Sequence, residues 1–301
     1  MNLLTIRHVT RYRYAKPVWF GEHTMMFRPR ESFDQHVIRN DLRISPEPTY
    51  LRCHHDVFGN CVGVARFGAR AAELSFESTV LLEHTPELSL DQPSTSRLNS
   101  YPFAYANSDL PDVHSSMMRL YPDSGGQIAS WSKSFLQNLK KVDAINVLTA
   151  MTHGVHRDFK YVSRRWGPPQ SPLETLCQRE GTCRDFAVLF MEGARALGLA
   201  ARFVSGYIFI PKHTNSSDRQ GGANTHAWVR VFLPTGGWIE FDPTNGLVGN
   251  RDLIRVAVVR DPYQAITLSG TWEGDAADYR GMDVHVDVES QPLPQGREIA
   301  R

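Results

Sequence analysis

The helical pattern that begins near residue 183 constrains the fold of this chain more than any other feature. Apolar residues recur every three or four positions across residues 186–197, and Gly198 stands where a C-terminal glycine cap belongs. At the other end, Thr182 is followed three residues later by Asp185, which predicts a capping box with Asp in place of the usual Glu. The sequence therefore predicts a helix whose first turn comes directly after Thr182.

Cys183 lies in the first turn of this predicted helix. A thiol at a helix N-terminus faces the positive end of the helix dipole, and the neighbouring Arg184 adds a second positive charge. Both effects favour the thiolate, which is the nucleophilic form of cysteine. The alternative is a small buried cysteine that packs the start of the helix, which is the commoner situation for a cysteine taken alone. Partners elsewhere in the chain must decide between the two.

The chain of 301 residues has a hydrophobic fraction of 41% and a charged fraction of 22%, as expected for one large or two smaller globular domains. Its formal net charge of +1 gives no reason to expect nucleic acid or an anionic membrane as a partner. The first residues contain no long apolar run, so we expect neither a signal peptide nor a membrane span. Four cysteines are too few for a disulfide scaffold, and we therefore expect a reducing, cytoplasmic environment.

Patterning divides the chain into segments of different character. Residues 1–85 alternate apolar and polar in short runs separated by Pro, Gly and Asn, which predicts a β-sandwich domain. Residues 86–126 are rich in Pro, Ser, Asn and Asp and are expected to form a connector. Helical patterns followed by short alternating strands occupy residues 127–290, and residues 291–301 are expected to be a frayed tail. The predicted fold class is α+β.

Two groups of potential metal ligands occur, namely Cys53, His54, His55 and Cys61 and, further along the chain, His153 and His156. The first group matches no common zinc spacing, and adjacent histidines on a strand point to opposite faces. The second group falls on one face of a predicted helix, with no third ligand spaced to complete a site. Ordinary strand and helix positions are therefore the favoured interpretation, and a metal-dependent hydrolase that uses the second group is the alternative.

Residues 226–242 predict an antiparallel hairpin that supplies a base and an acid. His226 begins the first strand and Asp242 ends the second, so both lie at the open end of the hairpin. With a five-residue loop, Phe232 opposes Trp238 and His226 lies diagonal to Asp242, with about 7 Å between their Cβ atoms. An imidazole and a carboxylate span that gap, whereas a four-residue loop would separate them. A thiol nucleophile needs such a base and a third group that orients it.

Four motifs in chain order resemble those of bacterial transglutaminase-like proteins, which lie within the papain-like cysteine protease superfamily. They are the nucleophile motif at residues 181–187, the helix end and strand at 197–207, the histidine motif at 225–229 and the aspartate motif at 237–245. Residues 8–14, 27–30 and 56–60 resemble the β domain that precedes the catalytic domain in one bacterial branch. The resemblance therefore covers nearly the whole chain.

The resemblance implies a papain-like, transglutaminase-like catalytic domain over residues 127–290, with the nucleophile at a helix start packed on an antiparallel sheet. It implies a catalytic triad of Cys183, His226 and Asp242, a peptide or amide substrate, and neither a metal nor an organic cofactor. One position departs from the family pattern, because the residue after the nucleophile is Arg184, where Gln is more usual. This departure bears on how the mouth of the site contacts the substrate.

Several other residues are candidates for supporting roles. The backbone N–H of Cys183 is the expected first oxyanion donor, and Gln178 and Trp166 are candidates for the second. For these two side chains, a solvent-facing helix position and a packing role, respectively, are the favoured alternatives. Trp228 is expected to shield the histidine–aspartate pair from water, and Asp185 to cap the helix.

These residues predict a thiol enzyme that forms an acyl-thioester and passes the acyl group to water or to an amine. The polar, glycine-containing loop at residues 212–224 is a poor barrier to water, so hydrolysis is favoured over transfer. The alternatives are transglutaminase-type transfer to an amine and a non-catalytic binding or assembly protein on the same fold.

Overall fold

The computed structural model describes residues 2–86, 100–136, 142–164, 167–210, 220 and 224–291. Its strands are β1 (Asn2–Met25), β2 (Gln35–Ser45), β3 (Tyr50–His55), β4 (Cys61–Arg66), β5 (Ala71–His84), β6 (Ser100–Tyr101), β7 (Val142–Asp143), β8 (Lys160–Tyr161), β9 (Glu180–Gly181), β10 (Ala201–Ile208), β11 (His226–Leu233), β12 (Gly237–Asp242), β13 (Leu247–Val248), β14 (Leu253–Val259), β15 (Leu268–Glu273) and β16 (Tyr279–Gln291). Its α-helices are α1 (Leu110–Met117), α2 (Gln127–Ser134), α3 (Ala144–Asp158), α4 (Pro172–Gln178) and α5 (Cys183–Ala196). Within the described residues, no helix combines the length and the apolar character needed to cross a membrane.

Strand β1 organises the N-terminal part of the fold because its 24 residues serve both halves of a seven-stranded sheet. The first half of β1 pairs antiparallel with β5 and β16, and the second half pairs antiparallel with β4 and β15. The pairing shifts between Arg13 and Val18, around Pro17, a residue that cannot donate to a ladder. Buried side chains of both halves, including Phe20 and Phe76, form a core between them. One continuous strand, β1, therefore belongs to both halves of the predicted β-sandwich.

The last two strands return to the N-terminal sheet. Both β15 and β16 pair with β1, and β16 begins with Tyr279 opposite Tyr14. The sequence pattern assigns residues 127–290 to the catalytic domain. In the structure, the strands within residues 268–291 belong instead to the N-terminal sheet. The alternating pattern predicts strands in this region, but periodicity carries no information about which sheet a strand joins.

A short helix interrupts the segment whose composition predicts a connector, residues 86–126. Helix α1 begins at Leu110 with Pro111 in its first turn, and it buries Val113 and Ser116. With so few buried positions, its apolar stripe is too short for a helical period to stand out in the sequence. Residues 87–99 of the connector, and the predicted tail from residue 292 onward, lie outside the described part of the chain.

The second part of the fold is a five-stranded antiparallel sheet, in the order β13-β12-β11-β10-β14, that is covered by helices. Helix α5 packs against β10 and β11, and α2, α3 and α4 pack against α5. Because α5 is buried on nearly all sides, its buried charges Glu192 and Arg195 pair with each other at 3.0 Å. The predicted arrangement, a helix that carries the cysteine at its start and packs on an antiparallel sheet, is confirmed.

The N-terminal sheet and the helix-covered sheet share one hydrophobic core, which runs from Leu4 of β1 to Phe190 of α5. Arg255 of β14 adds a buried polar link between the two parts. Its Nη2 lies 2.5 Å from Asp34, and its Nη1 lies 3.2 Å from Glu240. Because Asp34 immediately precedes β2 and Glu240 lies in β12, one guanidinium ties the two parts together.

Replacing Arg255 with Met is expected to lower the free energy of unfolding by about 3 kcal/mol, because Asp34 and Glu240 would remain buried without their partner. The matched control is Arg7→Met, which breaks an exposed pair with Glu77 and should cost less than about 1 kcal/mol. Urea denaturation followed by circular dichroism measures both losses. Equal losses in the two variants would show that Arg255 does not hold the two parts together.

Candidate active site

The N-terminus of α5 fixes the position of the thiol. Asp185 accepts hydrogen bonds from the backbone N–H of Thr182 at 2.7 Å and from the Thr182 hydroxyl at 2.8 Å. The predicted capping box is confirmed by this arrangement. Cys183 follows as the first helical residue, is 8% exposed and carries a free thiol. The cap therefore holds the first turn, and the thiol with it, in one position.

Asp185 also connects the helix start to the chain that precedes it. Its other carboxylate oxygen accepts from the backbone N–H of Gln170 at 2.7 Å and from Arg164 at 2.8 Å. The Asp185 side chain is fully buried, and Arg164 supplies the opposite charge that a buried anion requires. With all these donors engaged, Asp185 has a structural role at the helix cap.

The hairpin of β11 and β12 has the predicted register, with Phe232 opposite Trp238. This pairing carries His226 and Asp242 to the same face at the open end of the hairpin. His226 Nε2 lies 2.8 Å from Asp242 Oδ2, and both side chains are buried. The structure therefore joins the predicted base and acid by a direct hydrogen bond.

Asp242 is held by further donors besides His226. Its Oδ1 accepts from the backbone N–H groups of Thr244 at 2.9 Å and of Asn245 at 3.3 Å. Its Oδ2 accepts from His226 Nε2 and from Asn245 Nδ2, each at 2.8 Å. The sequence Asp-Pro-Thr-Asn is typical of a turn in which the aspartate side chain accepts from the backbone two residues on. That pattern is the signal by which Asn245 could have been found.

Asn245 also anchors the chain that precedes β11. Its Oδ1 accepts from the backbone N–H of Gln220 at 2.8 Å, and its Nδ2 donates to the Gln220 oxygen at 3.3 Å. One side chain thus contacts both the acid of the site and the loop expected to admit water. Residues 211–219 and 221–223 of that loop lie outside the described part of the chain.

The environment of His226 favours its protonated form. Burial lowers the pKa of this imidazole, but the Asp242 carboxylate and the neighbouring Cys183 outweigh burial and hold the pKa well above its ordinary value. Burial raises the pKa of Asp242, yet the charge of His226 and the hydrogen bonds from His226 and Asn245 hold it below its ordinary value. Among the described residues, Nδ1 of His226 has no hydrogen-bond partner. It is therefore the nitrogen that can exchange a proton with the thiol.

Trp228 covers one face of the imidazole. Its ring stacks on His226 with 5.9 Å between centroids and 25° between planes. The indole Nε1 donates to Glu240 at 2.6 Å, and the side chain is fully buried. Gly206 makes room for it, because a Cβ there would lie 2.7 Å from the Trp228 ring and 2.0 Å from the Ile254 backbone oxygen. Trp228 therefore closes one side of the pair to water.

Cys183 and His226 open into a cavity of about 720 Å³ that lies between the two parts of the fold. The N-terminal sheet supplies part of its wall, through His8 and Thr10 of β1 and through residues of β16. His8 is hydrogen-bonded to the Tyr207 hydroxyl at 3.0 Å, and burial lowers the pKa of His8 to about 4, so this imidazole is neutral at physiological pH. Segments that are far apart in the sequence thus build the site together.

Tyr161 lines the same cavity, and no sequence motif pointed to it. Strands β8 and β9 pair in parallel, which sets Tyr161 beside Gly181, two residues before the cysteine. Burial, and after it the charge of Cys183, raises the pKa of Tyr161 to about 12, so the hydroxyl keeps its proton at neutral pH. A two-residue strand has no periodicity from which this placement could be predicted.

Gln178 and Trp166 are the two side chains predicted as candidates for the second oxyanion donor. Gln178 is exposed at the end of α4, where it accepts from Gln170 at 3.0 Å and donates to Glu174 at 3.3 Å. It does not line the cavity that holds the thiol. The structure therefore does not bring Gln178 to Cys183, because the last turn of α4 directs it to solvent. Trp166 lies outside the described residues.

The cysteines and histidines considered as potential metal ligands lie in exposed or hydrogen-bonded positions outside the cavity that holds Cys183. Cys53 and the two histidines that follow it are exposed on β3. His156 Nδ1 donates to the backbone oxygen of Thr244 at 2.8 Å, which supports the turn that holds the acid of the site. Among the described residues, no group of three or more His, Cys, Asp or Glu side chains is arranged to hold a metal ion.

Comparison with protein families finds two matches. The bacterial transglutaminase-like N-terminal region matches residues 4–83, and the transglutaminase-like superfamily matches residues 133–243. Cys183, His226 and Asp242 all lie within the second match. The family comparison and the geometry therefore point to the same segment.

Similar proteins extend over nearly the whole chain. An uncharacterised protein of Mycobacterium leprae is 27% identical over 287 residues, which is 95% of this chain and 98% of that protein. An uncharacterised protein of Mycobacterium bovis is 27% identical over 296 residues, which is 94% of this chain and 91% of that protein. The crystal structure of a candidate cysteine protease from Cytophaga hutchinsonii aligns over 98% of this chain and 93% of its own, with a TM-score of 0.72 and 20% identity. This last likeness concerns the fold.

Asp242→Asn is expected to lower the pKa of His226, because the carboxylate raises it against the effect of burial. In the wild type the folded pKa exceeds the value of about 6.5 for an unfolded histidine, so the ion pair stabilises the fold fully below that pH. This stabilisation is lost as the pH rises through the folded pKa, and the variant should lack it. NMR titration of the His226 ring measures the pKa, and Asp287→Asn, beside the exposed His285, is the control. An unchanged His226 pKa in Asp242→Asn would contradict the ion pair.

Proposed function

Because the chain belongs to the transglutaminase-like superfamily, we propose that it is a thiol-dependent enzyme that attacks amide or peptide bonds through Cys183. The observation that carries the proposal is the buried pair of His226 and Asp242, joined at 2.8 Å, at the cavity that also holds this thiol. Acyl transfer by cysteine requires a base for the thiol proton and a group that orients the base. The pair is buried at the same cavity as the thiol, so it places an oriented imidazole where a base for the thiol is needed.

In the proposed reaction, the thiol proton resides on Nδ1 of His226, and Asp242 stabilises that imidazolium. Cys183 Sγ attacks the carbonyl carbon of the amide and forms a tetrahedral intermediate. The intermediate collapses as His226 gives its proton to the leaving amine, and the acyl group remains as a thioester on Cys183. Water then attacks the thioester with His226 as general base, and collapse releases the carboxylic acid and restores the thiol.

The oxyanion that develops needs hydrogen-bond donors beside the thiol. The backbone N–H of Cys183 is one, because the first N–H groups of a helix have no acceptor within the helix. We assign the second to the hydroxyl of Tyr161, which lines the same cavity. Burial raises the pKa of Tyr161 to about 12, so the hydroxyl is available as a donor at neutral pH. Tyr161 therefore replaces Gln178 as the proposed second oxyanion donor.

Hydrolysis is proposed in preference to transfer. A transferase must admit an amine to the thioester, and most amines are cationic at neutral pH. Among the described residues that line the cavity none is Asp or Glu, whereas Arg184 lines it without a carboxylate partner. A cationic amine would enter against like charge, and water enters without that cost. Transglutaminase-type transfer is the alternative.

The partition of products tests this choice. A p-nitrophenyl ester acylates reactive thiols generally, so it can serve as acyl donor in the presence of rising concentrations of glycine ethyl ester. The free acid is expected to remain the main product at low millimolar amine, because water reaches the thioester first. Cys183→Ala gives the background rate. An amine adduct that dominates at low millimolar amine would overturn hydrolysis in favour of transfer.

Tyr161→Phe removes the proposed oxyanion donor and keeps the ring. Turnover of the ester is expected to fall about 100-fold. Alkylation of Cys183 by iodoacetamide forms no oxyanion and should hardly change. The control is Tyr263→Phe, which removes a hydroxyl from another residue of the cavity wall that is 55% exposed. Normal turnover in Tyr161→Phe would remove this hydroxyl from the mechanism.

A further inference from the structure

We propose that Arg184 binds a carboxylate group of the substrate, so that the cavity selects amides with a negative charge close to the bond that is attacked. The inference rests on the proposed function, because it names the substrate class of the same thiol. It gives a role to the position at which this chain has Arg where the resembling family more usually has Gln.

Arg184 lines the cavity next to the cysteine that precedes it. Its Nη1 donates to the backbone oxygen of Gly167 at 3.1 Å, which fixes the guanidinium without neutralising it. Among the described residues it forms no ion pair with a carboxylate. A guanidinium carries five N–H donors in a planar fork that matches the two oxygens of a carboxylate. The donors not used by Gly167 are therefore available to a ligand in the cavity.

The other charges of the site are compensated. Arg164 lines the cavity too, but it pairs with the buried Asp185 at 2.8 Å. The imidazole of His226 pairs with Asp242 at 2.8 Å. Within the described part of the chain no Asp or Glu lines the cavity, so no carboxylate of those residues competes for Arg184 there. Among the described residues that line the cavity, Arg184 is therefore the cation without a carboxylate partner, and an entering carboxylate is attracted to it.

A simpler role for Arg184 is to favour the thiolate of Cys183, and the two roles predict different chemistry. A charge that acts on the thiolate alone changes the rate of every alkylating reagent alike. A carboxylate-binding site speeds an anionic reagent relative to a neutral one. Iodoacetate and iodoacetamide have nearly the same shape and differ in charge. The ratio of their rates therefore isolates carboxylate binding from thiol reactivity.

The experiment measures alkylation of Cys183 in the full chain by each reagent, with peptide mass spectrometry as the readout. Arg184→Gln is expected to lower the ratio of iodoacetate to iodoacetamide rates about tenfold. Arg184→Lys keeps the charge without the planar fork. Its ratio of iodoacetate to iodoacetamide rates should therefore fall between that of the wild type and that of Arg184→Gln. Arg157→Gln removes an exposed arginine that pairs with Asp158 outside the cavity, and it controls for net charge.

A ratio in Arg184→Gln equal to that of the wild type overturns the inference, and so does an equal fall in Arg157→Gln. The proposed function fails by a different result, namely a wild-type Cys183 that reacts with iodoacetamide no faster than the exposed thiols Cys53 and Cys177. The ratio remains measurable in that case, so the two failures are distinguishable.

Two isomeric anions identify the source of the carboxylate. N-acetylglutamine carries it at the end of the main chain, and N-acetylglutamate α-amide carries it on the side chain. The isomer that protects Cys183 more strongly from iodoacetamide identifies the source, provided that Arg184→Gln weakens the protection. Protection by both isomers that is as strong in Arg184→Gln as in the wild type overturns the inference.

Discussion

The hydrogen bond between His226 and Asp242 depends on the register of one hairpin, and the rest of the site depends on that hydrogen bond. A slip of one residue would turn Asp242 to the other face of β12 and leave His226 buried without its acid. The surroundings resist such a slip, because Thr244 and Asn245 hold the carboxylate and Trp228 stacks on the imidazole. These contacts offset the desolvation of two buried charges, which would otherwise be neutralised by proton transfer.

The N-terminal sheet is part of the site and not an appendage to it. Strands β1 and β16 supply cavity wall through residues such as His8, and one hydrophobic core continues into the helix that carries Cys183. Arg255 adds a buried charge link across the same boundary. Different parts of the fold therefore supply different parts of the site. The helix start and the hairpin supply the proposed chemistry, while the sheet forms part of the cavity wall and Arg184 supplies the proposed carboxylate contact.

The parts of the site that lie on one helix or one hairpin were predictable from sequence, because their geometry follows from local periodicity. The helix cap at Asp185 and the approach of His226 to Asp242 are of this kind. Contacts that depend on the choice of a distant partner were not predictable. Tyr161 reaches the cavity through the parallel pairing of β8 with β9, and His8 arrives on a strand of the other sheet. Alternation predicts a strand but does not say which strand it pairs with.

Intact-protein mass spectrometry of the enzyme, quenched in acid during reaction with a p-nitrophenyl ester, tests most directly whether Cys183 is a nucleophile served by His226. A mass increase equal to the acyl group is predicted, and peptide sequencing should locate it on Cys183. In His226→Ala the adduct should form at least about tenfold more slowly, because the base that takes the thiol proton is missing. Acylation of a different residue, or of Cys183 at the same rate in His226→Ala, would contradict this mechanism.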